Sequence, residues 1–131
     1  MMDLYTTFLN NELISQYITE ESIKFYEYPN ANEITNSVIV IDEVISPEIK
    51  DFADDNPLTY EYIVQVDIFV TQANNNVNGS LVSSELILEI QRIMWEEYGF
   101  RVFQSFAPEY DSSFKLYRQS KQFRGRKYIN N

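Results

Sequence analysis

The sequence predicts a single α+β domain spanning residues 1–131, an antiparallel or mixed sheet of about five strands with two helices packed on it, in the order α-β-β-β-α-β-β. Three observations predict it. Residues 60–71 alternate with the period of a strand, residues 81–98 repeat with the period of a helix, and 131 residues suffice for one two-layer core but not two.

The elements follow in order. From about Leu4 to Ile18, Tyr5, Leu9, Leu13 and Tyr17 recur every fourth residue beside Ile14, with Glu12, Ser15 and Gln16 flanking them. That spacing predicts one amphipathic helix. Ile23 to Tyr28 reads as a strand ended by the turn cluster Pro29-Asn30-Ala31-Asn32, and Val38-Ile39-Val40-Ile41 is apolar on both faces, as a central strand is. Between Ser46 and Pro57 the periodicity is lost while Glu48, Asp51, Asp54 and Asp55 gather around Phe52, which predicts a long loop.

Tyr60 to Thr71 is the clearest strand. Its even positions, Tyr60, Tyr62, Val64, Val66, Ile68 and Val70, are all apolar, whereas Glu61, Gln65 and Asp67 share the odd positions with Ile63 and Phe69. A polar turn over Asn74 to Gly79 leads to Ser80, a suitable N-cap, and to a helix from about Leu81 to Tyr98 that stops at Gly99. Two strands close the chain: Phe100 to Phe106, then, after a turn near Pro108 to Ser113, Lys115 to about Tyr128.

Composition removes many chemistries. The chain has no cysteine, which excludes disulfides, zinc–thiolate sites and thiol nucleophiles, and no histidine, which removes the commonest general base and metal ligand. Its three glycines, Gly79, Gly99 and Gly125, form no phosphate-cradling loop. Asp54-Asp55-Asn56 lacks the glycine a calcium loop requires, and the adjacent pairs Asp42-Glu43 and Glu96-Glu97 point apart in regular structure. The expectation is a protein that is not an enzyme and holds no cofactor or metal. The N-terminus has no signal-peptide character and no apolar run suits a membrane span, so a cytoplasmic setting without membrane contact is expected.

The net charge of −10 is unevenly placed. All twenty acids lie at or before Asp111, where four bases leave a balance of −16. Beyond it stand only bases: Lys115, Arg118, Lys121, Arg124, Arg126 and Lys127. Such asymmetry speaks of partners. Three readings suit this basic, aromatic-rich closing strand: a solvated edge whose charges deter aggregation, a nucleic-acid contact, and a contact with the acidic surface of a neighbouring copy. The acidity of the remaining chain repels a polyanion and favours the neighbour, with Asp51, Asp54 and Asp55 as counter-charges. Charge reversal at Arg118 and Arg124 is then expected to weaken assembly and leave the fold intact.

The second helix carries an additional apolar row. Val82, Leu86, Ile87, Ile90, Ile93 and Met94 form one broad face, and Leu81, Leu88 and Trp95 recur every seventh residue on the opposite side. Either another element of the chain covers that row or it meets a second subunit.

The strand Tyr60-Glu61-Tyr62-Ile63-Val64-Gln65-Val66-Asp67-Ile68-Phe69, the helix ending Trp95-Glu96-Glu97-Tyr98-Gly99-Phe100, Tyr110-Asp111 and the closing Leu116-Tyr117-Arg118-Gln119-Ser120-Lys121-Gln122-Phe123-Arg124-Gly125 together resemble the tail-terminator (tail-completion) and neck proteins of tailed bacteriophages. The resemblance covers roughly Tyr60 to Tyr128. It implies a virion structural protein, assembled in the host cytoplasm, that forms a homo-oligomeric, hexameric ring. It further implies that the ring ends tail-tube growth, with the tube protein and a head-connector or head-closure protein as partners and DNA as passing cargo. The acidity alone also suits a DNA-mimicking inhibitor of a host nucleic-acid-binding protein.

Overall fold

The computed structural model describes residues 3–30, 34, 36–53, 56–71 and 78–128, and of residues 45–60, 127 and 128 the backbone alone. It is an α+β fold with a six-stranded mixed sheet. The chain runs through α1 (Leu4–Leu9), α2 (Glu12–Ser15), a 3-10 turn (Glu20–Ser22), β1 (Ile23–Phe25), β2 (Val38–Ala53), β3 (Asn56–Thr71), α3 (Gly79–Tyr98), β4 (Arg101–Ser105), β5 (Glu109–Asp111) and β6 (Leu116–Tyr128). The sheet order is β1-β2-β3-β6-β4, with β5 also paired to β6. Among the described strands only the β1–β2 pair is parallel.

The single N-terminal helix expected over residues 4–18 is two short ones. The Asn11 side chain accepts the amide N–H of Ile14 at 3.0 Å and caps α2, so the backbone leaves the helix at the Asn10-Asn11 pair. The break also rotates the buried face. Leu4, Phe8, Ile14 and Ile18 are buried, while Tyr5, Leu9, Leu13 and Tyr17 pack only partly against them.

The expected loop from Ser46 to Pro57 is instead the far half of a β-hairpin. β2 and β3 each run sixteen residues and pair from Val38↔Phe69 to Ala53↔Asn56, a ladder of about 50 Å at the usual rise. Acids and Pro47 hide it from periodicity. Beyond Ile41 no described strand pairs the outer side of β2, so proline, which has no N–H to donate, is tolerated there, and the ladder shifts register between Ile45 and Glu48.

α3 starts two residues earlier than expected, at Gly79. Asn78, not Ser80, is the N-cap, its side chain accepting the Leu81 N–H at 3.1 Å. Gly99 ends the helix at φ 71°, the left-handed cap expected of it. The turn expected near residues 108–113 contains the short β5, and the chain reverses just after it, where Asp111 accepts the N–H groups of Ser113 and Phe114.

The core lies between one sheet face and the helices. Ile39, Ile41, Val64, Val66, Ile68, Val70 and Phe123 meet Leu4, Phe8, Ile14 and the broad face of α3. Burial of apolar surface on this scale, at about 25 cal/mol per Å2, is the main favourable term. A smaller cluster of Val38, Val40, Phe69 and Leu116 lies on the opposite face.

Candidate assembly surfaces

The basic closing strand is not an edge. β6 lies between β3 on one side and β4 and β5 on the other, so the reading of a solvated edge strand does not hold. Alternation divides its residues between two faces. Tyr117, Gln119, Lys121 and Phe123 face the helices: Gln119 donates to Ser83 and Ser84, and Lys121 donates to Gln91 at 2.6 Å. Burial pushes the Lys121 ammonium below its ordinary value.

The arginines find carboxylates within their own chain. Arg118 donates to Asp67 at 2.9 Å, reaches Glu109 at 3.9 Å, and lies over the Phe69 ring at 5.2 Å. Arg124 approaches Glu61 at 3.4 Å and lies over Phe103 at 5.7 Å; Arg126 approaches the same Glu61 at 4.0 Å. The strand register explains it: Phe69↔Arg118, Ile63↔Arg124 and Glu61↔Arg126 stand opposite one another, which brings β6 bases and β3 acids onto one sheet face. Lys115 is exposed at the turn before β6, with a left-handed φ of 51°. The Lys127 and Asp51 side chains, and Asp54 and Asp55 altogether, lie outside what is described, although Asp51 contributes backbone pairing opposite Thr59.

The second row of α3 is uncovered. Leu81, Leu88 and Trp95 are 56%, 58% and 52% exposed, and no described element packs over them. Arg92 bridges Glu89 and Glu96 beside the row, and Arg101 lies over the Trp95 ring at 5.2 Å. Further exposed aromatics, Phe103 and Phe106, sit on and just after β4. Sequence reading missed them because alternation alone does not show that β4 has a partner on one side only.

A cleft of about 540 Å3 opens on the helix-free face, lined by Tyr28, Phe69, Glu109, Tyr110 and Arg118 among others. Tyr28 donates to Asp42 at 3.3 Å, and burial, then the nearby Asp67 and Asp42 carboxylates, push its hydroxyl well above the ordinary tyrosine value. Asp67, beneath it, is fully buried and takes bonds from Gln65 and Arg118. The signal for this was present in the sequence, where Gln65 and Asp67 stand at odd positions between the apolar even ones of the strand. These groups satisfy one another, and their arrangement suits packing and salt-bridge formation.

Among the described residues no helix is long and apolar enough to cross a membrane, and no three acidic side chains converge as a metal site. No protein-family model matches the chain, and no curated protein matches it.

Proposed function

We propose that the chain is a structural subunit of a tailed-phage virion, a tail-terminator or neck protein whose copies form a ring at the head-proximal end of the tail tube. In this reading the ring, a hexamer by resemblance, ends tube growth, docks a head-connector protein and passes DNA, and the chain has no catalytic role. The observation that carries it is the Leu81, Leu88 and Trp95 row, large apolar side chains held on a well-capped helix and left uncovered among the described residues. The acidity elsewhere suits a conduit for DNA, because a negative wall does not retain a polyanion.

The test is sedimentation of the purified chain with electron microscopy of tail tubes to which it is added. Ring-sized particles and tubes capped at one end are expected. A chain that stays monomeric alone and leaves tubes uncapped would remove the reading.

One feature favours a second reading. The β6 arginines are engaged by Asp67, Glu61 and Glu109, which leaves exposed acids such as Glu20, Glu21 and Glu27 to present a negative exterior suited to mimicking DNA. That reading requires a salt-sensitive complex with a basic host protein, and its absence from a pull-down at low salt would dismiss it.

A further inference from the structure

We infer that copies of this chain join edge to edge, the β4 strand of one against the β1 strand of the next, so that the sheet continues from subunit to subunit. The inference rests on the assembly reading above and names the surfaces that perform it.

An unpaired strand edge presents a row of N–H and C=O groups that another strand can complete. β1 pairs only β2, and β4 pairs only β6, so among the described residues both outer sides are open. The other long open edge, β2 beyond Ile41, is blunted by Pro47 and by repeated shifts of register. β4 shows one such shift, between Val102 and Gln104 in its ladder with β6. It has no proline, and Arg101 is its only charged residue.

The two open edges complement each other. On the β4 side, Arg101 has the Trp95 ring as its partner and, among the described residues, no carboxylate within ion-pair distance, and Arg124 is half exposed on the neighbouring strand. Trp95, Phe103 and Phe106 expose aromatic surface around them. On the β1 side, Glu20, Glu21 and Glu27 are exposed and form no ion pair among the described residues, against the single base Lys24. Aromatic surface is present here too: Phe25 leans on Tyr5, and Tyr26 is exposed. Positive edge and negative edge thus belong to one chain, which makes a second copy the fitting occupant. Pairing β4 with β4 would set Arg101 near its own counterpart.

Because the two surfaces differ, the contact is head-to-tail and closes into a ring when the rotation permits. Strands of five and three residues make a small contact. Each is weak as a pair and persists when closure engages both edges of every copy.

The absence of cysteine from the chain makes the test clean. The full-length double variant Lys24→Cys/Gln104→Cys, treated with a short bismaleimide, is expected to give a ladder of covalent oligomers on a denaturing gel, and each single variant only monomer. Arg101→Glu should abolish the ladder, and adding Glu20→Lys, Glu21→Lys and Glu27→Lys should restore it. No ladder from a chain whose wild type sediments as an oligomer would overturn the edge contact and leave the ring reading standing. No ladder together with a monomeric wild type would overturn both. Dimers from Gln104→Cys alone would show β4 meeting β4 and also overturn the proposal.

Discussion

The Arg118 guanidinium donates to the fully buried carboxylate of Asp67 at 2.9 Å, across adjacent strands of the same chain. Gln65 completes the carboxylate from the other side at 2.9 Å, and Gln122 in turn donates to Gln65 at 3.0 Å. Arg118 is therefore a fold residue before it is a surface residue. Arg118→Glu, expected from sequence to weaken assembly alone, should set two carboxylates together and lower unfolding free energy by about 3 kcal/mol, the low end for a broken buried pair because Arg118 keeps 36% of its side chain in water. Asp67→Leu with Arg118→Met should recover much of that loss. Urea unfolding of the wild type, Asp67→Leu, Arg118→Met and the double variant forms the cycle that checks it, with Arg118→Glu measured beside them.

Gly125 and Phe100 define a second relationship. A Cβ on Gly125 would lie 2.1 Å from the Phe100 ring, which is itself fully buried beside Tyr62. Gly125→Ala should therefore cost about 1–3 kcal/mol through overpacking. Phe100→Leu in the same chain should relieve part of it. If Gly125→Ala melts with the wild type, the close approach is not a constraint.

The cap of α3 separates two neighbours. Asn78→Ala should cost about 1 kcal/mol because it orphans the Leu81 N–H. Ser80→Ala, by contrast, should leave thermal unfolding nearly unchanged. Equal losses in both would reassign the cap.

Alkaline pH should weaken the fold through Tyr28. Its hydroxyl is raised in the folded chain by burial and by nearby carboxylates, above an ordinary value of 10.0. Below that value both states are neutral and the stabilisation is complete. As pH rises past it, the unfolded chain ionises first and stability falls. Tyr28→Phe should flatten this decline, measured as the urea midpoint between moderately and strongly alkaline buffer; parallel curves would refute the assignment.

Trp95→Ser and Leu88→Ser should leave the domain folded, since both side chains stand mostly in water. Their effect should appear in sedimentation. Unchanged oligomers in both variants would free the α3 row of any assembly role.

The parts legible in the sequence are those decided within a few residues of one another. From Tyr62 to Val70 the even-numbered positions of β3 do face the helices, the α3 face from Val82 to Met94 is buried, and Gly99 is the left-handed cap. Local periodicity and backbone geometry suffice for these. Composition likewise removed thiol and imidazole chemistry at once. Tertiary structure decided the rest because it depends on which strands are neighbours. Residues 46–53 are strand only because β3 lies alongside, although their own acids and Pro47 argue against it. Arg118, Arg124 and Arg126 answer Asp67 and Glu61 because the antiparallel register of β3 and β6 puts them on one face. Among the described strands, β1 and β4 end the sheet for the same reason. Charge order along a chain announces partners, and strand order decides which charges remain free to meet them.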